Sequence, residues 1–202
     1  MMTSKIEIEY KNLLTEEEFH KLRDYFSLSK SDFFVQKNEY FDTPDFSLKE
    51  RGCALRVRKK EGNLELTLKE PERIGLLETT DLLTENEYEL LLNKKIFPQG
   101  KVEERLKRMN IRPGEVVYFG SLTTWRAERA YKGGLLVLDK SHYLNKTDYE
   151  VEYEVKDPVS GEKEFLELLN RFQIPKRKTW NKIQRFYREK LKMINDHKRG
   201  RL

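Results

Sequence analysis

Polar and apolar residues alternate strictly in several segments of the chain. In the first of these, Ile6–Lys11, three charged residues alternate with three apolar ones. Successive side chains of an extended strand point to opposite faces, so Glu7, Glu9 and Lys11 share one face of a predicted strand. The same alternation predicts further strands, each with one charged and one apolar face, over residues 53–59, 64–69 and 148–155.

Turn residues and less regular apolar runs predict the remaining strands. Pro44 follows one predicted strand, and Gly133 with Gly134 forms a hairpin turn before another. A long strand is expected to bend or bulge near Gly120. These further strands cover residues 34–42, 74–80, 116–131 and 135–139, with turns expected at 50–52, 61–63, 145–146 and 158–161.

Two pairs of residues have the spacing of a capping box, which marks the beginning of a helix. Thr15 is followed by Glu18, and Thr84 is followed by Glu87. The predicted helices cover 15–27, two segments of 84–110 separated at 98–100, 164–172 and 180–194. Strands joined mostly by hairpins, with helices between some of them, indicate an antiparallel sheet or barrel of the α+β class.

The alternation alone leaves open which face of the sheet is inside. In most antiparallel sheets the charged face meets water, but a closed sheet could enclose it and cover the outer apolar face with helices. Two features favour the enclosed arrangement without deciding it. The charges are segregated by strand, and Glu150, Glu152 and Glu154 repel one another unless a cation lies nearby.

Composition limits the size and class of the protein. The chain has 202 residues, 37% of them charged, with a net charge of +5. This length fits one domain, which we expect over residues 1–195 with a helical insert at about 84–110 and a basic tail at 196–202. Eleven Phe and ten Tyr argue against disorder. The small charge excess does not indicate specific nucleic-acid binding.

The compartment and several kinds of chemistry can also be inferred. Cys53 has no partner for an internal disulfide, which suits a reducing compartment. No signal peptide or membrane-spanning apolar run is evident, so we expect a cytoplasmic protein without membrane contact. The chain lacks a P-loop motif and the His spacing of zinc hydrolases. Cys53 lies on the apolar face of its strand, which favours a core position over a nucleophile.

An ordered set of motifs resembles the CYTH domain family, also called the triphosphate tunnel metalloenzymes. The family hallmark Glu-x-Glu-x-Lys matches Glu7, Glu9 and Lys11. Further matches follow in order at Tyr40–Thr43, Leu55–Arg58, Leu66–Lys69, Arg126, Asp139, Glu150, Glu152 and Asn181–Phe186. Asn181 stands where the family often has a small residue such as Ser. The matches run from about residue 5 to 187, and together they are specific where a single motif would be weak.

The resemblance implies an eight-stranded antiparallel barrel with a charged interior that holds a triphosphate, and helices packed outside. It implies triphosphate-binding roles for Lys11, Arg56, Arg58, Lys69, Arg126 and Lys182, and metal-binding roles for Glu7, Glu9, Glu78, Asp139, Glu150 and Glu152. Of these residues, Glu9, Lys11, Arg58 and Lys69 are the candidate catalytic set. Oxygen ligands suit Mg²⁺ or Mn²⁺. Glu65 and Glu154 are left out as residues that pair only with basic side chains.

Members of the family are similar to inorganic tripolyphosphatases, thiamine triphosphatases and class IV adenylyl cyclases. We therefore expect a divalent-metal-dependent hydrolase of a small triphosphate-bearing molecule, acting as a monomer or homodimer. A cyclase that converts ATP to cyclic AMP and pyrophosphate is the first alternative. A module that binds polyphosphate or a nucleotide without catalysis is the second. Resemblance of this kind indicates the fold more firmly than the substrate.

Overall fold

Eight antiparallel strands pair edge to edge until the last one meets the first. The computed structural model describes residues 3–60 and 62–199. Around the closed barrel the strands follow the order β1-β5-β4-β3-β2-β6-β7-β8. Their bounds are β1 (Thr3–Leu14), β2 (Phe34–Asp42), β3 (Ala54–Lys60), β4 (Asn63–Pro71), β5 (Leu76–Leu83), β6 (Val117–Tyr131), β7 (Gly134–Tyr143) and β8 (Lys146–Val155). The closed antiparallel barrel confirms the predicted fold.

Helices occupy the connections between strands and the C-terminal region. They are α1 (Glu16–Tyr25), α2 (Ser47–Glu50), α3 (Glu85–Lys94), α4 (Lys101–Arg108), α5 (Pro158–Arg171) and α6 (Lys182–Arg199), with short 3-10 turns at Lys30–Asp32 and Pro113–Glu115. Both capping boxes are present. At the start of α1, for example, the Thr15 hydroxyl accepts from the Glu18 N–H, and the Glu18 carboxylate accepts from the Thr15 N–H.

The charged face of the strands lies inside the barrel. Register places Asn38 opposite Arg58 and Lys11 opposite Glu152, so these side chains point to the same interior. The apolar face is outside and is buried under helices: α1 and α5 cover Leu136, Leu138, Val151 and Tyr153, whereas α3 and α4 cover Leu55, Val57, Leu66 and Leu68. The enclosed arrangement is thus the one that the chain adopts, because its helices supply the apolar cover.

Helix α6 differs from the other long helices, because its first turns enter one end of the barrel. Ile183, Phe186 and Tyr187 pack against three side chains that project inward from the strands, namely Tyr40, Leu122 and Tyr143. The opening for Phe186 is made by Gly120, where an added Cβ would lie 2.2 Å from the ring. The predicted irregularity near Gly120 is confirmed as a register shift between β2 and β6. One end of the tunnel is therefore closed by the chain itself.

Several element boundaries differ from their predictions. Helix α5 begins at Pro158 and not at 164, because Asp157 caps it and proline suits the first helical position; the turn predicted at 158–161 is its first part. The structure has β5 at 76–83 and not at 74–80, and it adds α2 near the turn predicted at 50–52.

The C-terminal region and the first hairpin also differ in extent. Helix α6 reaches Arg199, so residues 196–199 of the predicted tail are helical. Residues 200–202 of that tail, and Glu61 of the turn predicted at 61–63, lie outside the described residues. Within residues 3–60 and 62–199, no helix is both long enough and apolar enough to cross a membrane.

Candidate active site

The interior of the barrel contains a cavity of about 230 Å³ whose lining includes Lys182 and Ile183 of α6. All the predicted site residues except Asp139 and Glu150 line it: Glu7, Glu9, Lys11, Arg56, Arg58, Lys69, Glu78, Arg126, Glu152 and Lys182. Asp139 and Glu150 lie just behind this surface and contact Lys182. The structure therefore brings all the sequence-predicted residues into one region, although they come from eight different elements.

Two arginines of β3 form a cationic wall on one side of the cavity. Arg58 donates from Nε to the Asn38 Oδ1 at 3.0 Å, and within the described chain no carboxylate lies within 4.0 Å of its guanidinium group. Burial, with the neighbouring Arg56 and Arg126, lowers the pKa of Arg58 to about 9. The Nε of Arg56 is buried without a hydrogen-bond acceptor among the described residues. Both guanidinium groups thus have donors available for an anion.

Two uncharged residues of this wall were not predicted. Gln36 and Asn38 of β2 are buried and face the cavity beside Arg58. Asn38 fixes the Arg58 guanidinium through the Nε contact and leaves the two terminal nitrogens directed elsewhere. The sequence signal is their position on alternate residues before Tyr40, which places them on one face of β2. Amides carry no charge, so a search for charged faces passes over them.

Three carboxylates form a buried cluster on the opposite side, and we call Asp139, Glu150 and Glu152 the acidic triad. One oxygen from each lies within 4.8 Å of the others. Arg126 contacts both Asp139 oxygens, at 2.8 and 2.6 Å, and Glu152 at 2.7 Å. Burial alone would raise the pKa of Glu152, but Lys182, Arg126 and Lys11 hold that pKa well below its usual value. Glu152 is therefore ionised at neutral pH.

Arg185 is a buried member of this region that the sequence did not reveal. Its Nη1 and Nη2 donate to the two Glu150 oxygens at 3.2 and 2.8 Å, and Nη1 also donates to the Trp180 carbonyl oxygen at 2.7 Å. Its Nε lies 3.0 Å from Asp148. Arg185 belongs to the same helical face as Phe186 and Lys182, where an apolar residue would be expected.

A second set of carboxylates comes from β1, β5 and β8. Lys69 lies 2.5 Å from both Glu7 and Glu78, and Lys11 pairs with Glu9. Glu154 also lines the cavity, and register places it directly opposite Glu9. Among the described residues, no basic group lies within 4.0 Å of the Glu154 carboxylate. Burial, Glu7 and Glu152 raise its pKa. Glu154 was assigned a pairing role from the sequence, and the structure gives it no such partner.

The two carboxylate sets differ in how well they suit a metal ion. Like charges directly opposite in a sheet destabilise it, and Glu9 with Glu154 is such a pair. We call Glu7, Glu9 and Glu154 the cation-poor set. Glu7 and Glu9 each contact one lysine, and Glu154 has no basic group within 4.0 Å among the described residues. Carboxylate oxygens are the ligands that a divalent cation such as Mg²⁺ prefers. Among the described residues, however, the oxygens that converge within 4.8 Å are those of the acidic triad. The acidic triad already has a basic contact at each carboxylate.

Known proteins match this sequence over most of the chain. The sequence model of the CYTH domain matches residues 5–187. The YjbK protein of Bacillus subtilis strain 168, provisionally named as a triphosphatase, is 48% identical over 193 residues, which are 96% of this chain and 100% of that protein.

Two solved structures extend the comparison to the fold. A protein of Bacillus halodurans, provisionally described as an adenylate cyclase, is 41% identical with a TM-score of 0.88, covering 91% of this chain and 98% of its own. HpAC1 of Hippeastrum, provisionally described as an adenylyl cyclase and reported to have a dominant triphosphatase activity, is 24% identical with a TM-score of 0.76. It covers 91% of this chain and 96% of its own, and that likeness shows the fold alone.

Proposed function

From the premise that this chain belongs to the CYTH domain family, we propose that it hydrolyses a small triphosphate-bearing substrate inside the barrel. The substrate class is inorganic tripolyphosphate or a nucleoside or thiamine triphosphate. The name of the YjbK relative, at 48% identity, supports a triphosphatase. The observation that carries the proposal is the half-buried Arg58, whose guanidinium has no carboxylate within 4.0 Å in the described chain and lies beside two further arginines.

An anion is the ligand that this wall requires. A buried cation without a counter-charge is costly, and like charges nearby increase that cost. A polyphosphate supplies several negative oxygens along one chain, so Arg56 and Arg58 can each make a bidentate contact. Lys11 and Lys69 add point charges from β1 and β4. These contacts align the phosphate chain along the cavity and neutralise it.

Hydrolysis of a phosphoanhydride depends mainly on positioning and on neutralising charge in the transition state. Arg58 and Lys69, on neighbouring strands, hold the substrate from one side of the cavity. Glu9 holds Lys11 through their ion pair and so fixes the direction of that ammonium group. Helix α6 closes one end, which limits the water that reaches the bound phosphates.

We assign the divalent ion, Mg²⁺ or Mn²⁺, to the cation-poor set Glu7, Glu9 and Glu154. When bound, such an ion neutralises phosphoryl oxygens and supplies Lewis-acid catalysis. Glu78, predicted as a further ligand, lies between Lys69, Lys5 and Arg56, and we assign it to positioning of Lys69. Asp139, Glu150 and Glu152 remain the second predicted group of ligands, and each of them already contacts a basic side chain.

The wider setting of the protein belongs to the same proposal. Residues 1–195 would form one domain, in which the insert at 84–110 covers the outer apolar face of β3 and β4. Cys53 is buried and free, which supports a reducing compartment and therefore the cytoplasm. No specific nucleic acid is expected as a partner, and the oligomer would be no larger than a homodimer.

The experiment is a measurement of phosphate release from tripolyphosphate and from ATP, with Mg²⁺, with Mn²⁺ and with EDTA. Glu9→Gln and Arg58→Gln are expected to lower turnover by at least about a hundredfold, because each removes a charge from the binding region. Glu17→Gln and Arg108→Gln are matched controls, since both side chains are well exposed. Full turnover in both site variants would refute the proposal.

A cyclase is the second candidate, because the 41% identical protein of Bacillus halodurans is provisionally described as an adenylate cyclase. The same reaction tubes with ATP can be assayed for cyclic AMP and pyrophosphate. Cyclic AMP without phosphate release would favour the cyclase. Binding of tripolyphosphate with neither product would favour a module that only binds its ligand.

A further inference from the structure

The ammonium group of Lys182 lies at the centre of the acidic triad. Its Nζ is 2.8 Å from Asp139 Oδ2, 2.7 Å from Glu150 Oε2 and 2.5 Å from Glu152 Oε1. An ammonium group has three donors, so one donor is available for each carboxylate. The three carboxylates are almost completely buried, with exposed fractions of 0%, 1% and 5% for Asp139, Glu150 and Glu152. Lys182 is thus a cation of the chain itself in the place where three carboxylates converge.

Every oxygen of the triad has a basic contact. Arg126 contacts both oxygens of Asp139 and the Oε2 of Glu152. Arg185 contacts both oxygens of Glu150, and Lys182 takes the Oε1 of Glu152. Three carboxylates and three basic groups leave no net charge in this volume. Buried charges are tolerated when they are paired and hydrogen-bonded in this way.

We propose that Lys182 is the resident cation of the acidic triad and that it excludes a divalent ion from the triad in the substrate-free protein. The proposal rests on the proposed function only in taking a divalent ion to be the cofactor. Entry of such an ion would place two further positive charges in a buried and already neutral volume. It would also remove the only basic contact of Glu152 Oε1 among the described residues. In the cation-poor set, Glu7 and Glu9 each contact one lysine, and Glu154 has no basic group within 4.0 Å among the described residues, so an added cation there meets an uncompensated negative charge.

The position of α6 keeps Lys182 in this place. The ammonium group is carried by the first residue of α6, and Arg185 one turn later fixes the same Glu150. Phe186 is seated against Gly120, and Tyr187 donates to the buried Asp42 at 2.8 Å. Lys182 therefore cannot leave the triad by a small side-chain rotation without losing three ion pairs. The resulting prediction concerns metal binding and can be tested without turnover.

The experiment is equilibrium binding of Mn²⁺ to the full chain without any phosphate compound, followed by electron paramagnetic resonance of the free ion. Asp139→Asn is expected to leave Mn²⁺ binding within about twofold of the wild type, whereas Glu9→Gln weakens it by about tenfold. Lys182→Gln is expected to bind one additional Mn²⁺ or to bind it about tenfold more tightly. Lys192→Gln, an exposed lysine on the same helix, is the matched control.

Two results would overturn the proposal. The first is a loss of wild-type Mn²⁺ binding in Asp139→Asn as large as the loss in Glu9→Gln, because the triad would then hold the ion. The second is a folded Lys182→Gln protein, judged by circular dichroism, whose Mn²⁺ binding equals that of the wild type. If Lys182→Gln does not fold, the comparison of Asp139→Asn with Glu9→Gln still decides. Neither result depends on phosphate release, so failure of the proposed hydrolase would be recognised separately.

Discussion

Gly120 of β6 and Phe186 of α6 make the contact that lets the C-terminal helix enter the barrel. A Cβ at Gly120 would lie 2.2 Å from the Cζ and 2.7 Å from the Cε1 of the Phe186 ring, closer than real carbon atoms approach. Phe186 is 1% exposed and also packs near Tyr40 and Tyr143. The ring therefore cannot move aside without disturbing the plug that positions Lys182.

Gly120→Ala is expected to destabilise the protein by about 1–3 kcal/mol, the usual cost of overpacking a core. Urea unfolding followed by circular dichroism measures this change in the free energy of unfolding. In a Phe186→Leu background, the smaller side chain should remove most of the cost. Equal costs of Gly120→Ala in both backgrounds would show that the ring is not the obstacle. Gly114→Ala is the control, because a Cβ there meets no atom within 4 Å.

Arg58→Gln is expected to stabilise the ligand-free protein and to abolish the further stabilisation that tripolyphosphate gives the wild type. Burial and the neighbouring Arg56 and Arg126 lower the pKa of Arg58 to about 9, below its value in the unfolded chain. At neutral pH the charged Arg58 side chain is therefore less favourable in the folded protein than in the unfolded chain. Removing this charge should raise the free energy of unfolding by about 1 kcal/mol. Thermal unfolding with and without tripolyphosphate is the measurement.

In the wild type, tripolyphosphate at a hundred times its dissociation constant should add about 2.7 kcal/mol of stability. Arg58→Gln should lose this gain, whereas Arg108→Gln on the exposed face of α4 should keep it. A site variant that is less stable than the wild type and still responds to tripolyphosphate would contradict the assignment of Arg58 to anion binding.

Asp81→Ala tests how the insert is attached to the barrel. The N-cap of α4, Gly100, has no side chain, and the first turn is capped instead by Asp81 of β5, which accepts from the Val102 N–H at 2.8 Å. Loss of this cap should cost about 1–2 kcal/mol in the free energy of unfolding. Turnover should be unchanged, because Asp81 does not line the cavity. Glu104→Ala, exposed in the same turn, is the control, and equal effects of both changes would contradict the capping role.

The barrel and most of its interior could be predicted because period-two alternation and ordered motifs are local properties of the chain. Sequence spacing alone placed Glu9, Arg56 and Glu150 on the charged faces of their strands. Alternation did not decide whether the charged face points into the barrel or toward solvent, since it is compatible with both arrangements. The inward direction followed from the resemblance, and the structure adds the physical reason, which is the helical cover on the outer face.

The remaining features depend on contacts between distant parts of the sequence. The cap of α4 comes from Asp81, and the space for Phe186 comes from Gly120, so neither has a local signal. Arg185 lies beside Phe186 and Tyr187 on the buried face of α6, where spacing predicts an apolar residue. The unpaired state of Glu154 depends on strand register, which places it opposite Glu9. These are also the features that give the candidate site its charge distribution.

The ion pairs of Lys182 predict how stability depends on pH. Burial by itself would raise the pKa of the Glu152 carboxyl, but Lys182, Arg126 and Lys11 hold that pKa well below its unfolded value of 4.5. A group with a lowered folded-state pKa contributes stability above its unfolded pKa and loses that contribution as the pH falls. The wild type should therefore lose stability progressively below about pH 5. As the pH falls, the free energy of unfolding should decrease more steeply in the wild type than in Lys182→Gln.

The measurement is urea unfolding of wild type and Lys182→Gln at pH 7 and pH 4. At pH 7 the substitution should cost about 3–5 kcal/mol, because it leaves three buried carboxylates with only two basic groups. At pH 4 the cost should be smaller, since protonation of a carboxylate relieves the excess negative charge that Lys182→Gln leaves in the triad. Lys192→Gln should change neither value by more than about 0.5 kcal/mol. An equal cost at both pH values would mean that Lys182 stabilises α6 through packing and not through its charge.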